Sequence, residues 1–285
     1  MSAAEASLGR QIKGPSAVGT DPRRFWHLTR ALAVTEFKLR FFGSVLGYAW
    51  QVMRPLMLFG VLYVLFTQIL DVGSGVPLYG VALLLGLVLY TFFSEATGAA
   101  VSSVVDRENL VRKIEFPRLA VPMSVVLTAL FNLTLNMGVV IVFLLASGGS
   151  VRWSWLELIP LVALLAIAAS GMAMLLSATF VRARDVKPIW DVALQILFYG
   201  SPIFYAIETV QASAPDWVAK VLMLNPFAAI LQQARHAMVD PQYETAAAAI
   251  GGTWRLLIPL AIVFALFALG YAVFRRAAPR LAEDL

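Results

Sequence analysis

Long apolar runs alternate with short polar, arginine-rich segments along the chain. Six runs, at roughly 45–70, 78–103, 120–147, 156–181, 188–206 and 255–274, are long enough to cross a bilayer as helices; each crossing takes about 20 apolar residues. In lipid every backbone N–H and C=O must find its partner within the segment, so runs of this kind predict an all-α integral membrane protein, here with about six spans. The first run contains Arg54-Pro55. Proline kinks a membrane helix, and an arginine near a helix end snorkels to the interface.

Two segments have a different pattern. In residues 22–42, Phe25, Leu28, Leu32 and Leu39 fall on one helical face, and Arg23, His27, Arg30 and Lys38 fall near the opposite one. This predicts an amphipathic helix in the membrane interface, serving either as an anchor beside anionic lipid or as a docking surface for a cytosolic partner. The stretch 207–253 is long for a loop and carries two apolar runs too short to span, around 217–224 and 227–239. Asn225-Pro226 between them is a helix start, with Asn at the N-cap and Pro at the first helical position. Two short helices result, either re-entrant into the outer leaflet or lying flat on it.

Charge orients these elements. Arg10, Lys13, Arg23, Arg24, Arg30, Lys38 and Arg40 precede the first span; Arg107, Arg112, Lys113 and Arg118 lie between spans two and three. Arg182, Arg184 and Lys187 separate spans four and five, and Arg275, Arg276 and Arg280 follow span six. The opposite side holds only Arg152, Lys220, Arg235 and Arg255. The positive-inside rule places both termini in the cytosol, as an even number of spans also requires. Residues 1–21 have no apolar run and are expected to form a disordered cytosolic tail without a cleavable signal; 22–278 form one membrane domain, and 279–285 a second cytosolic tail.

Composition agrees with a lipid solvent. The chain is 60% hydrophobic and 14% charged, where soluble domains carry about 25% charged residues. With no cysteine there is no disulfide, thiolate metal site or cysteine nucleophile. His27 and His236 are expected on opposite sides of the membrane, and no Asp-x-Asp pair is present for a metal-dependent glycosyltransferase. No metal site, no cofactor and no nucleic-acid partner is expected, and no enzymatic activity in this chain. It has no nucleotide loop and no chain of intramembrane acids for ion coupling, so the energy for any transport must come from another polypeptide.

Polar side chains within the spans narrow the candidates. Glu95 lies in span two, Asn132 and Asn136 share a face of span three, and Asp191 and Gln195 share a face of span five. They either hydrogen-bond helix to helix or line a translocation path. Aromatics cluster around Tyr48 and Trp50, around Tyr90 and Phe93, and at Tyr199, Phe204 and Tyr205. They either anchor helices at the interface or offer ring faces to a sugar.

The order of these features carries a resemblance. An amphipathic helix runs into Leu39-Arg-Phe-Phe-Gly-Ser-Val-Leu-Gly-Tyr-Ala-Trp50 and Arg54-Pro55. Then come Asn109-Leu-Val-Arg-Lys-Ile-Glu-Phe-Pro-Arg118, Phe180-Val-Arg-Ala-Arg-Asp185, Phe198-Tyr-Gly-Ser-Pro-Ile-Phe-Tyr205 and Asn225-Pro-Phe227. Over about residues 22–278 the chain resembles permease subunits of type-2 ABC transporters that export O antigen, teichoic acid, capsule or galactan precursors. The resemblance implies a permease of the bacterial cytoplasmic membrane that pairs with a second copy of itself and with two cytosolic ABC ATPase subunits, which bind ATP and magnesium. It implies a polysaccharide substrate linked to undecaprenyl diphosphate, a gate at the outer helices after Asn225 and Pro226, and coupling to the ATPase through 104–119. In that segment Val105, Leu110, Val111 and Ile114 would fill a groove, while Arg107, Glu108, Arg112 and Lys113 set orientation. Arg54 departs from the neutral residue expected there; it either snorkels to lipid phosphates or meets the substrate diphosphate. The rival readings are a type-2 ABC permease for drugs or small lipids, a membrane glycosyltransferase, and a non-transporting scaffold.

Overall fold

A computed structural model describes residues 21–41, 47, 49–70, 75–109, 116–279 and 281. Helix α1 (Pro22–Phe41) begins where the Asp21 carboxylate accepts from the Arg23 amide at 2.8 Å, with Pro22 at the first helical position. It ends on Lys38 and Arg40, whose charges suit a helix C-terminus. Helix α2 (Ala49–Val64) passes through Pro55 and continues as a π-helical stretch, Leu65–Ile69. Next come α3 (Tyr79–Ser102) and α4 (Ala120–Ala146), then a 3-10 turn, Trp153–Glu157, leading into α5 (Leu158–Phe180). Helix α6 (Val186–Tyr199) precedes a set of short helices: α7 (Ile207–Ser213), α8 (Asp216–Met223), α9 (Pro226–Ala234) with a π-helical end at Arg235–Val239, and α10 (Ala246–Ile250). The 3-10 turn Thr253–Leu256 opens α11 (Leu257–Ala277). No strand occurs among the described residues.

Five stretches are long and apolar enough to span: Ala49–Ile69, Tyr79–Ser102, Ala120–Ala146, Trp153–Phe180 and Thr253–Ala277. They match five of the six expected runs within a few residues. The remaining run, 188–206, is helical only through Tyr199. Its 14-residue helix reaches about 21 Å at 1.5 Å per residue, against a hydrocarbon core of about 30 Å. The rest of that run is irregular backbone, buried at Ser201, Pro202, Ile203 and Ala206; within protein is where such backbone is tolerated at membrane depth.

Helix α3 is the central element, with most of its length buried between α4, α5, α6 and α2. Its apolar side chains surround it on all faces, as expected of a helix with no lipid-facing side. Ile203 of the irregular segment packs so near α3 that a Cβ on Gly86 would lie 3.3 Å from it. Helices α5 and α11 meet backbone to backbone at Gly171 and Gly270, the close approach that small residues permit between membrane helices. At one end of the bundle Phe274, Ala278 and Leu281 are buried against Val104, Phe116 and Leu119, and Arg118 donates to the Ala278 carbonyl. By contrast α2 buries only Gln51 and Pro55, and α6 only Leu194.

Candidate functional site

Where α2 begins, the structure gathers residues that the sequence left separate. Arg40, Gly47, Trp50, Gln51, Arg54, Glu95 and Ala99 line a cavity of about 340 Å³. Glu95 sits at its wall. Gln51 Nε2 donates to the two Glu95 oxygens at 3.2 and 3.3 Å, and Asn132 Nδ2 donates to Oε2 at 3.0 Å. Asn136 Nδ2 donates to the Asn132 carbonyl at 2.9 Å, one turn below. So Gln51, Glu95 and Asn132 join α2, α3 and α4 by hydrogen bonds, while the bond of Asn136 stays within α4. Arg40 approaches the same carboxylate at 3.9 Å, while Arg54 is exposed. Two guanidiniums against one carboxylate leave the cavity with a net positive charge, and a half-exposed indole, Trp50, borders it. Tyr48 lies outside the described residues.

Helix α6 presents the second feature. Lys187, Asp191, Gln195 and Tyr199, spaced by four, are all exposed and form one stripe along it. Asp191 and Gln195 make no hydrogen bond among the described residues. The opposite side is fixed to α3: Trp190 Nε1 donates to Thr97 Oγ1 at 3.1 Å, and the Tyr90 hydroxyl to the Leu194 carbonyl at 2.8 Å. The candidate aromatics therefore divide. Phe93 is 7% exposed and packs on Trp190 and Phe227, and Tyr90 packs edge-on against Phe198. Both hold α3 to its neighbours. Phe204 is half-buried, stacked on Phe66 at 5.0 Å, with Tyr205 against it at 5.1 Å. Tyr199 is 67% exposed and Trp50 52%.

The segment after Tyr199 is held by Asn225, a residue the sequence singled out, and by Arg235 and Tyr79, which it did not. Arg235, in the middle of an apolar stretch, is 2% exposed; it donates to the carbonyls of Ile203 at 2.7 Å and Tyr205 at 3.1 Å. The Tyr79 hydroxyl donates to the Phe204 carbonyl at 2.7 Å, and Asn225 Nδ2 to Ser201 Oγ at 3.0 Å. Burial lowers the proton affinity of Arg235, and Tyr243 and Glu208 oppose the shift. Gln232 Nε2 bridges the Glu208 carboxylate at 3.1 Å and the Glu244 carbonyl at 2.9 Å. A charge inside an apolar run was the available signal. Asn225 caps α9 as expected: its side chain accepts from the Phe227 amide at 3.0 Å, with Pro226 next. Helix α9 is buried, whereas α8 exposes Trp217 and Val221.

Of the segment expected to meet an ATPase, Leu110, Val111, Arg112, Lys113 and Ile114 lie outside the described residues. Val105 and Glu108 are partly exposed. Arg107 turns back into the protein, where it pairs with Glu36 of α1 at 2.7 Å and donates to Ser124 Oγ at 3.0 Å. It thereby ties the segment to α1 and to the start of α4.

Residues 27–239 match the ABC-2 type transporter family. The chain is similar to the O-antigen export system permease protein RfbA of Myxococcus xanthus, with 30% identity over 204 residues, covering 70% of this chain and 76% of that one. It is similar also to an O-antigen export system permease protein RfbA of Klebsiella pneumoniae, with 26% identity over 253 residues, covering 88% and 92%. With three quarters of its length matched to the family, this multi-pass membrane chain belongs to the ABC-2 type transporters.

Proposed function

We propose that the chain is one half of a homodimeric exporter that moves a lipid-linked polysaccharide across the bacterial cytoplasmic membrane, with ATP hydrolysed by separate cytosolic subunits and both termini in the cytosol. The relatives named for O-antigen export support a glycan of that class. The observation that carries the reading is the α6 stripe. Asp191 and Gln195 are exposed within an apolar helix, and facing lipid they would be costly. A water-filled path between two copies removes that cost, and Tyr199 at the end of the stripe offers a passing sugar a ring face and a hydroxyl. Weak repeated contacts suit a moving polymer, since each 1.4 kcal/mol of extra binding slows release by roughly tenfold.

The cavity at the start of α2 supplies the other end of the path. Its net positive charge and the spacing of Arg40 and Arg54 around it suit an undecaprenyl diphosphate headgroup, because guanidinium forks match phosphate oxygens. Glu95, already held by the Gln51 and Asn132 amides, would yield Arg40 to the incoming anion. Residues 104–119 would carry motion from the ATPase, with Arg107 passing it to α1 through Glu36. Helices α8 and α9 would form the outer gate, hinged at Asn225 and Pro226.

The absence of cysteine makes the test direct. A Gln195→Cys chain, purified with its ATPase and reconstituted, should react with a membrane-impermeant thiol reagent and cross-link to its own copy. An unreactive thiol that never cross-links would place α6 against lipid and overturn the reading.

A further inference from the structure

We propose that a groove beneath the interface helix is a binding site for an anionic glycerophospholipid, distinct from the substrate path. The groove runs between α1, α4, α5 and α11 and encloses about 370 Å³. Phe25 and Trp26 of α1 close one side, and Phe267 and Tyr271 of α11 the other; the floor follows α4 from Leu119 to Leu130. Eleven helical steps separate those two residues, or about 16 Å at 1.5 Å per step. Half of a hydrocarbon core is about 15 Å, so the groove has the length of one acyl chain in one leaflet. Its lining is apolar apart from the hydroxyl-bearing Thr29, Ser170 and Tyr271, and the hydroxyl of Thr29 is already given to the Phe25 carbonyl at 2.9 Å. A hydrocarbon occupant therefore leaves no polar group unsatisfied at that position.

The charge above the groove selects the headgroup. Arg23, Trp26 and Arg30 share one stripe of α1, at spacings of three and four, and all are exposed. The two acids of α1 and its cap are engaged elsewhere: Asp21 caps the helix and Glu36 holds Arg107. Arg23, Arg24 and Arg30 make no ion pair among the described residues. Arg275, one turn beyond Tyr271, is exposed as well. A phosphate with no compensating ammonium fits this rim, whereas a zwitterionic headgroup brings a like charge to it.

Native mass spectrometry of the full chain in detergent tests the site with phosphatidylglycerol and phosphatidylcholine of matched acyl chains. One phosphatidylglycerol per chain should be retained at least tenfold more tightly than phosphatidylcholine. The double variant Arg23→Gln/Arg30→Gln, altered only at exposed positions, should bring the two lipids to parity. Leu127→Trp, which fills the groove, should remove the retained lipid of either kind; should that variant fail to fold, the arginine variant decides alone. Equal retention by the unaltered chain, or a phosphatidylglycerol preference that survives loss of both arginines, overturns the proposal. So does displacement of the lipid by an equal concentration of undecaprenyl phosphate, which would make the groove part of the substrate path.

Discussion

Arg235 Nη2 donates to the carbonyl oxygen of Ile203 at 2.7 Å, across 32 residues of sequence. Helix α6 stops at Tyr199, so the carbonyls that follow lose their helical partners, and Ile203 is buried away from solvent that could replace them. Arg235 and Tyr79 supply the missing donors. We predict that Arg235→Leu lowers stability by about 1–3 kcal/mol for each carbonyl it orphans, read as an earlier thermal unfolding midpoint in detergent. Arg235→Lys should fall between, since an ammonium cannot reproduce the fork. An unchanged midpoint for the leucine variant would show that the segment holds itself.

Glu95 allows charge and hydrogen bonding to be separated. Glu95→Gln keeps the size of the side chain but removes the negative charge facing Arg40 at 3.9 Å. Under the proposed headgroup role, this variant should bind an undecaprenyl diphosphate glycolipid more tightly than the unaltered chain, measured by competition in proteoliposomes. Arg54→Ala should bind it less tightly. Glu95→Ala should instead lower stability, because the Gln51 and Asn132 amides lose their acceptor. Equal affinities for the glutamine variant and the unaltered chain would remove Glu95 from the headgroup site.

Much of this architecture was legible in the sequence because its signals are one-dimensional. Apolar run length gave the spans, and Asn225-Pro226 gave the start of α9. Tertiary partners were not legible. Nothing local says that Glu95 faces Gln51, 44 positions earlier, or that Arg107 turns back to Glu36. Aromatic character likewise did not separate Phe93, buried against Trp190, from Tyr199, exposed on α6; only burial distinguishes packing from lining. The end of α6 escaped notice because Gly200 to Ala206 is apolar enough to extend a span. Its irregularity depends on donors from α3 and from the π-helical turn after α9.

The Glu36–Arg107 pair makes a prediction about coupling rather than stability. Its side chains are 36% and 19% exposed, so its net contribution to folding is small, about 0.2–1 kcal/mol after solvent screening. We predict that Glu36→Arg leaves the unfolding midpoint within a few degrees but lowers glycan exported per ATP hydrolysed. The swap Glu36→Arg/Arg107→Glu should recover part of it. If the swap exports no better than either single variant, the pair does not transmit motion.

The α5–α11 contact predicts the reverse, a stability effect without chemistry. A Cβ on Gly270 would run into the backbone oxygen of Gly171, and one on Gly171 would lie 2.7 Å from the Phe267 backbone. Neither neighbour is a flexible side chain, so relief requires the two helices to separate along their length. That separation would also loosen Phe274 and Ala278 from Val104 and Phe116 at the bundle's end. Gly270→Ala should therefore destabilise by about 1–3 kcal/mol or more, the range for overpacking, measured by thermal unfolding in detergent. Gly138 on α4 is the internal control: a Cβ there meets nothing within 4 Å. Gly138→Ala should be neutral or stabilising by up to about 1 kcal/mol, the helix-propensity difference between the two residues. Equal effects at the two positions would mean that backbone flexibility, and not the close approach of α5 and α11, is what glycine provides at Gly270.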